Sequence, residues 1–355
     1  MAQSFYLQPV LASSAAHEAQ ETVRLAGGMV HASHVVLIAR EQGGVIRRAV
    51  YSPSQLRDAL PDLPPAVAQQ WQALITPRAP LICGDQSIRL DQPQVLGILN
   101  VTPDSFSDGG AFYDQPDRAD AHAAAMLAAG AAIIDLGGES TRPGADPVAE
   151  REELARVVPV IRRLAAKGAL ISIDTRRAAV MAAALQAGAQ IINDVSALRH
   201  DPASLALAAA SGAPVVLMHA PGSGDDLHAG GSYDAVVLDV FDWLRDRRDA
   251  ALAAGIASDR IVLDPGIGFG KSLADNLALM NALPLFHALG MPVMLGASRK
   301  RMITGLAGDA AADQRLGGSV ALVIKGLDAG VQLLRVHDVA ETVQALRVWQ
   351  GLRGA

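Results

Sequence analysis

The sequence predicts an α/β protein, a (β/α)8 TIM barrel with a small N-terminal α/β extension. From Val95 onward, short apolar stretches alternate with alanine-rich helical ones, which is typical of parallel strands joined by helices. Many helical stretches end in a glycine, such as Gly130, Gly188 or Gly290, as expected at helix C-termini. After the first 94 residues, 261 of the 355 remain, close to the roughly 250 that such a barrel needs.

The predicted strands and helices follow one another at regular intervals. The strands are Val95–Leu99, Ala132–Leu136, Leu170–Ile173, Ile191–Ile192, Pro214–Met218, Ile261–Leu263, Val293–Leu295 and Leu333–Val336. The helices are Ala119–Ala129, Arg151–Ala166, Arg177–Ala187, Pro202–Ala210, Tyr233–Ala254, Leu273–Ala288, Gln314–Asp328 and Asp338–Gln350. A doubly wound open sheet is the competing architecture, but eight even units of about 34 residues favour a closed barrel.

The first part of the chain differs from the barrel, and we divide the sequence into an extension, 1–90, and a barrel, 91–355. The extension carries no chemical motif, and its role stays open. We expect in it two strands around a Gly43–Gly44 turn, a linker and a short helix: Val35–Ile38, Val45–Tyr51, Pro61–Pro65 and Ala66–Leu74.

Composition excludes several classes of protein. The formal charge is −6 and no long basic run occurs, so a nucleic-acid surface is not expected. The single cysteine, Cys83, excludes an intrachain disulfide framework and suits a reducing compartment. The N-terminus lacks the features of a signal peptide, and the longest uncharged run, 202–218, is too short to span a membrane. We therefore expect a cytoplasmic protein without a membrane or nucleic-acid partner.

Polar residues occur where each predicted strand stops. In a barrel these positions converge on one mouth, where the chemistry of the fold takes place. They are Asn100, Asp135, Asp174, Asn193, His219, Asp264, Ser298 and His337. Each has a structural alternative, since Asp174 could cap a helix, Asn193 could be a turn residue, and for His219 we favour a structural role. The set of eight, rather than any one member, indicates an active site.

Three segments are more specific. In the loop from Asp264 to Lys271, three glycines allow a flat ligand to approach the backbone, and a carboxylate can accept two parallel N–H bonds from an aminopyrimidine edge. The spacing to Lys271 does not fit a Walker A loop. Segment 296–301 ends in three cations, although exposed Lys300 and Arg301 would also be ordinary. Arg335 and His337 lie two residues apart at the end of the last strand, hence on the same face, and TIM barrels commonly bind phosphate beside this strand end.

These motifs closely resemble those of the dihydropteroate synthase family of the folate pathway. They cover the barrel, about three quarters of the chain, and they occur in the family's order. The matching segments are Gly97–Gly110, Asp135–Gly144, Ile173–Thr175, Ile192–Val195, Asp264–Phe269, Ser298–Lys300 and Arg335–Asp338.

The resemblance implies a transferase that joins 7,8-dihydropterin-6-ylmethyl diphosphate to 4-aminobenzoate with release of diphosphate, as a homodimer with Mg²⁺. It implies that Asn100 binds the metal. It implies further that the pterin is held by Asp174, Asn193, Asp264, Lys300 and Arg335. The diphosphate would be held by Asn100, Thr141, Arg142, Arg335 and His337. The aminobenzoate pocket would be lined by Pro143, Phe269 and Ser298.

The chemistry suits these roles. An arylamine is a weak nucleophile, so Mg²⁺ with Arg142, Arg335 and His337 would neutralise charge on the leaving diphosphate. We expect a dissociative, SN1-like path in which Asp104 lies near the methylene cation and Lys300 assists. Loops one and two, with Thr102–Asp108 and Thr141–Arg142, would form a lid.

Two departures and two rival functions accompany the resemblance. Segment 220–231 and the Gln314–Arg315 pair differ from the family's usual sequence, which leaves the contacts of the fifth loop and of the seventh helix open. A pterin-binding methyltransferase on the same barrel would share the Asp and Asn positions, but it has no need for the diphosphate set. A non-catalytic pterin-binding paralogue would require a lost anion site.

Overall fold

The chain is described by a computed structural model. The structure describes residues 3–12, 21–41, 44, 46–102, 116–140, 147–222, 224 and 226–354. The predicted lid, 102–108, therefore lies outside the described residues apart from Thr102.

An antiparallel sheet and two helices form the N-terminal layer. The sheet contains β1 (Ser4–Leu11), β2 (Val23–Arg24), β3 (His31–Arg40) and β4 (Ile46–Tyr51), and the helices are α1 (Pro53–Ala59) and α2 (Pro65–Ile75). The predicted hairpin is confirmed, since β3 pairs with β4 from Val35↔Tyr51 to Arg40↔Ile46. Strand β1 was not predicted, because a proline interrupts its apolar pattern. Part of the predicted linker is instead a short 3-10 turn, Leu60–Asp62.

A short hairpin closes one end of the barrel. It consists of β5 (Leu81–Cys83) and β6 (Gln86–Ile88). The buried side chains Leu81, Cys83, Ile88 and Leu90 pack in one cluster with Leu96, Ile133, Leu170, Ile191, Val216, Val262, Met294 and Leu333. Because most of these partners lie at the amino ends of barrel strands, the hairpin plugs the end opposite the mouth.

The predicted barrel is confirmed. Within the described residues, eight parallel strands follow one another in the order β12-β11-β10-β9-β8-β7-β14-β13. A parallel bridge between Leu263 and Val293 joins the two outer strands and closes the barrel. The strands are β7 (Gln94–Asn100), β8 (Ile133–Gly137), β9 (Ile171–Asp174), β10 (Ile191–Asp194), β11 (Val215–Met218), β12 (Ile261–Asp264), β13 (Met294–Leu295) and β14 (Leu333–Val336).

Helices surround the strands at close to the predicted positions. They are α3 (Pro116–Ala129), α4 (Glu150–Ala166), α5 (Ala178–Ala187), α6 (Ser204–Ser211), α7 (Val236–Ala253), α8 (Leu273–Asn281), α9 (Arg301–Ala307), α10 (Leu316–Asp328) and α11 (Val339–Gly354). The predicted helix Leu273–Ala288 ends early and continues as a 3-10 segment, Leu283–Leu289, because Pro284 lacks the N–H of an α-helical bond. Helix α9 was not predicted.

The layer and the barrel share one continuous hydrophobic core, which includes Tyr6 and Trp71 from the layer and Phe241 and Phe286 from the barrel. Polar contacts reinforce the junction, since the Tyr6 hydroxyl donates to Asp242 Oδ2 at 2.7 Å and Arg78 donates to the carbonyl of His287 at 2.9 Å. Of the helices that the structure describes, none is long and apolar enough to cross a membrane.

Candidate active site

The predicted strand-end residues meet at the mouth of the barrel, as expected. The registers place Asn193 beside Asp174, Gly137 beside both Asp174 and Asn100, and Met218 beside Asp264. Parallel pairing brings the carboxyl ends of neighbouring strands to one edge, so side chains far apart in sequence become neighbours.

An ion-pair network lies at the centre of this mouth. Arg335 donates through Nε to Asp135 Oδ2 at 2.6 Å and through Nη2 to Asp174 Oδ2 at 2.7 Å. Asn193 donates through Nδ2 to the same Asp135 carboxylate, at 3.2 Å from Oδ2. Arg335 of β14 is therefore bonded to residues of β8 and β9. Asp135, which is not among the predicted substrate contacts, orients both Arg335 and Asn193.

The network leaves hydrogen-bonding capacity for a ligand. Burial raises the pKa of Asp174 to about 7, with the nearby Asp135 adding to the rise and Arg335 opposing it. The two carboxylates raise the pKa of Arg335 above its ordinary value, against the effect of its burial. Among the described residues the buried Asn193 Oδ1 has no hydrogen-bond partner. A buried acceptor without a partner is costly, so a ligand that donates an N–H there would gain affinity.

Asp264 faces the same space from the other side of the mouth. Its side chain is buried, and Oδ1 accepts the Gly266 N–H at 2.7 Å. Burial raises its pKa to about 6, while the Gly266 N–H, Lys300 and Arg335 lower it. A Cβ on Gly296 would lie 3.6 Å from Asp264 Oδ2, so glycine at that position keeps the space next to this oxygen open.

Two glycines allow the loop after Asp264 to adopt its shape. Gly266 has φ +68°, and a Cβ there would lie 1.9 Å from the carbonyl oxygen of His219. Gly268 has φ +84°, and a Cβ built on it would lie 3.0 Å from Cδ of Lys300. Both the conformation and the close approach require glycine at these positions.

Phe269 is held between cationic and aromatic neighbours. Lys300 Nζ lies over its ring at 4.2 Å, and the His228 ring stacks on it at 4.9 Å with 10° between the planes. His228 comes from the unusual fifth loop, so the sequence departure noted above supplies a contact to a predicted substrate residue. Sequence reasoning missed His228, because nothing in a glycine-rich loop indicates which residue turns inward.

Ser298 and His337 form a second polar pair at the mouth, with 3.1 Å between Ser298 Oγ and His337 Nδ1. The neighbouring Arg299 has φ +59° and pairs with Asp338, with Nε 3.1 Å from Oδ2. The three cations of 299–301 therefore have different surroundings. Arg299 pairs with Asp338, Lys300 contacts the Phe269 ring, and Arg301 is the exposed first residue of α9.

Asn100 is half-buried at the end of β7, with its Oδ1 3.3 Å from a Cβ built on Gly137. The described residues contain no group of three His, Cys, Asp or Glu side chains that could hold a metal. An oxygen ligand such as the Asn100 amide would suit Mg²⁺, which in proteins commonly takes only one or two side-chain ligands together with substrate phosphates.

Four predicted site residues, Asp104, Thr141, Arg142 and Pro143, lie outside the described residues. The ends of the second loop are described, however, and a buried ion cluster holds them. Glu139 pairs with Arg176 and with Arg177, each at 3.0 Å, and Arg177 also pairs with Glu153. Arg177 further donates to the carbonyl of Val148 at 2.7 Å.

His219, for which we favoured a structural role, is buried against Trp243 with 4.8 Å between the rings. Its Nδ1 lies 2.9 Å from Nζ of Lys271. Burial and the positive charge of Lys271 lower the pKa of His219 to about 2, so the ring is neutral. Lys271 is a further residue that the sequence did not reveal, because its spacing only excluded a Walker A loop.

The barrel mouth combines buried carboxylates with nearby cationic and hydroxyl groups, an arrangement that suits an enzyme acting on a flat, nitrogen-rich heterocycle. Comparison with known proteins agrees, since residues 96–337 match the family of pterin binding enzymes. The dihydropteroate synthase of Neisseria meningitidis serogroup B is 46% identical over 273 residues, covering 76% of this chain and 96% of the relative.

Solved structures give the same result. A Xanthomonas albilineans dihydropteroate synthase with 4-aminobenzoic acid is 49% identical with a TM-score of 0.73, over 78% of this chain and 98% of that one. The structure of the enzyme from the same organism with 7,8-dihydropteroate is 46% identical, with a TM-score of 0.71, over 78% of this chain and 100% of that one. The chain belongs to the dihydropteroate synthase family of pterin-binding transferases, as its motifs indicated.

Proposed function

We propose that this protein condenses 7,8-dihydropterin-6-ylmethyl diphosphate with 4-aminobenzoate to give 7,8-dihydropteroate and diphosphate, in folate biosynthesis. The observation that carries the proposal is the mouth itself, where Asp264 faces the Asp135–Arg335–Asp174 network. The similarity to dihydropteroate synthases over the whole barrel supports it.

The pterin is the substrate that this network would recognise. An ionised Asp264 can accept two N–H bonds from the aminopyrimidine edge, and charge-assisted bonds of this kind are the stronger ones. The free Oδ1 of Asn193 supplies another acceptor. We assign Asp174, Asn193, Asp264, Lys300 and Arg335 to the pterin.

The diphosphate would lie against the cationic side of the mouth. We assign it to Asn100, Thr141, Arg142, Arg335 and His337. Bound Mg²⁺, with Asn100 as a ligand, would supply positive charge that offsets the charge of the diphosphate. Because two carboxylates already engage Arg335, its contribution to the diphosphate would be through charge rather than a free fork of donors.

The aminobenzoate would bind next to the pterin. We assign Pro143, Phe269 and Ser298 to it, and the cation–π contact between Lys300 and Phe269 keeps the ring fixed beside the pterin site. The arylamine nitrogen must reach the methylene carbon, so the two sites have to be adjacent.

We propose a dissociative path. The C–O bond to the diphosphate breaks with both electrons leaving on oxygen, and the dihydropterin ring stabilises the methylene cation. The amine then forms the C–N bond and loses one proton. Arg142, His337 and Lys300 would lower the barrier by stabilising the leaving charge, and Asp104 would lie near the cation once the loops close.

The experiment is direct. Purified protein is incubated with both substrates and Mg²⁺, and we expect 7,8-dihydropteroate and diphosphate in equal amounts. Binding of the pterin without product would indicate a non-catalytic paralogue, and methyl transfer from methyltetrahydrofolate to a corrinoid protein would indicate the methyltransferase. Either result would contradict the proposal.

We also propose that the protein is a homodimer. Two exposed apolar side chains, Leu273 of α8 and Leu306 of α9, lie on adjacent elements and support a self-association surface. Sedimentation equilibrium should give twice the 36.9 kDa chain mass; a monomer at micromolar concentration would contradict this proposal alone.

A further inference from the structure

Lys271 closes the loop that starts at Asp264. Its ammonium lies beneath the loop, where Nζ donates to the carbonyls of Gly266 at 2.8 Å and Phe269 at 3.0 Å. The third partner is Nδ1 of His219 at 2.9 Å. Burial lowers the pKa of Lys271 to about 7, with the charge of Asp264 opposing the shift. In the charged form, the three N–H groups are matched by these three acceptors.

The protonation of Lys271 determines which partner donates in its contact with His219. When Lys271 is charged it has no lone pair, so Nδ1 of the neutral ring accepts and the ring proton is on Nε2. When Lys271 is neutral, its amine can accept from Nδ1–H, so the contact is kept in either state. The ring is held in place by its edge contact with Trp243 of α7. The His219 ring, which follows β11, therefore anchors Lys271, which belongs to the loop after β12.

The backbone that Lys271 holds connects two predicted substrate contacts. Asp264 precedes the loop and Phe269 lies near its end, and one ammonium binds carbonyls at residues 266 and 269. Asn276 of α8 completes the support, since its Oδ1 accepts the Gly268 N–H at 2.7 Å and its Nδ2 donates to the carbonyl of Lys271 at 3.2 Å.

We propose that Lys271, anchored by His219, is a positioning residue that sets the relative placement of Asp264 and Phe269, and so of the pterin and aminobenzoate sites. The inference rests on the proposed function for the identity of the two substrates. Because Nζ of Lys271 contacts loop carbonyls and the His219 ring, Lys271 would act through the loop.

The central test is Lys271→Met, which keeps the length of the side chain and removes all three donors. A loosened loop must be ordered when substrate binds, and that cost appears in binding. We expect the KM for each substrate to rise about tenfold or more, with kcat reduced less than threefold. The matched control is Lys325→Met, on the exposed face of α10, which should match wild type.

Variants of His219 keep the test decisive if Lys271→Met does not fold. His219→Asn places an amide oxygen near the Nδ1 position, and His219→Leu removes the acceptor with similar bulk. We expect the Asn variant to recover most of the affinity for both substrates and the Leu variant to lose about tenfold. Equal effects of the two variants would overturn the proposal.

Calorimetric binding of the dihydropterin diphosphate separates this inference from the proposed function. If wild type forms no dihydropteroate, the proposed function fails, but weaker pterin binding by folded Lys271→Met would still support the positioning role. Unchanged pterin affinity and unchanged KM values in folded Lys271→Met, or a loss confined to kcat, would overturn it.

Discussion

At the scale of the residue, Asp264 meets two opposing demands. Its burial raises its pKa to about 6, so an ionised Asp264 costs stability at neutral pH, yet the ionised form is the one that accepts two N–H bonds from a pterin. A site that favours binding at the expense of stability is common in enzymes. The variant Asp264→Asn separates pterin affinity from stability.

We expect Asp264→Asn to weaken pterin binding on the order of 10- to 150-fold, because a charge-assisted bond is worth about 1.5–3 kcal/mol. Calorimetry with the dihydropterin diphosphate measures this loss. Lys325→Met, on the exposed face of α10, is the control and should leave the affinity for this ligand unchanged. Unaltered binding by Asp264→Asn would show that Asp264 has a purely structural role.

The same variant should be more stable than wild type at pH 8. The native pKa of about 6 lies above the ordinary 3.8, so the penalty is fully present above pH 6 and disappears as the pH falls and the native carboxyl takes up a proton. One pKa unit is about 1.4 kcal/mol, so we expect a gain of about 1–3 kcal/mol at pH 8 and about half of that gain at pH 5. Urea unfolding at both pH values measures it, and a gain independent of pH would contradict the ionisation argument.

His337 gives a prediction for the leaving group. We expect His337→Ala to weaken binding of diphosphate about tenfold or more, and binding of aminobenzoate less, since a bond to a charged group is lost only for the former. Because Ser298 Oγ contacts His337 Nδ1, some effect on aminobenzoate is expected. Separate titrations with diphosphate and aminobenzoate measure the two losses, and equal losses would contradict the assignment.

At the scale of the element, the N-terminal layer is joined to α7 by Tyr6. This side chain is fully buried, packs edge-on against Phe241 at 5.3 Å and donates to Asp242. Arg40 pairs with Asp239 of the same helix. The layer therefore contributes to the environment of α7, whose Trp243 contacts His219 at the active site.

We expect Tyr6→Ala to lower the free energy of unfolding by about 3–5 kcal/mol, as for other large buried aromatics. Tyr6→Phe should lose only about 0.5–1.5 kcal/mol, because it keeps the ring and loses one hydrogen bond. Because layer and barrel share one core, urea unfolding of both variants should show a single transition. A separate early transition, with the barrel unchanged in Tyr6→Ala, would show that the layer folds independently.

At the scale of the whole molecule, the barrel has a functional end and a structural end. The β5–β6 hairpin belongs to the residues that we assign to the extension, 1–90, yet its side chains pack with the barrel. We still propose that residues 1–90 form an extension and residues 91–355 carry the active site. In structural terms, however, the hairpin is part of the barrel. Cys83 in this plug is buried, which raises the pKa of its thiol to about 12 and keeps it unreactive.

We expect Leu81→Ala to cost about 2–5 kcal/mol of stability, because its side chain is fully buried in the plug. The KM values and kcat should stay within twofold of wild type well below the melting temperature, since the plug lies opposite the mouth. Thermal unfolding and steady-state kinetics on the same preparation test both statements. A rise in KM without loss of stability would contradict the separation of the two ends.

The amino-acid sequence by itself determined the barrel, the positions of its eight strands and of its helices other than α9, and the eight polar residues at the strand ends. Those features depend on local signals, namely apolar runs, glycine at helix ends and polar residues where strands stop. Predicted helix boundaries were less accurate where Pro284 changed the type of helix. The motifs also indicated the family, which the comparisons confirmed.

Only the tertiary structure decided how these residues interact. Arg335 lies 200 positions from Asp135 and 161 from Asp174, and no local pattern tells which carboxylates an arginine will meet. The same holds for Lys271 under its loop, His228 on Phe269, and Tyr6 on α7. Barrel closure brings distant strand ends within a few ångströms of one another, so the partners of each polar side chain depend on the whole fold rather than on its neighbours in sequence.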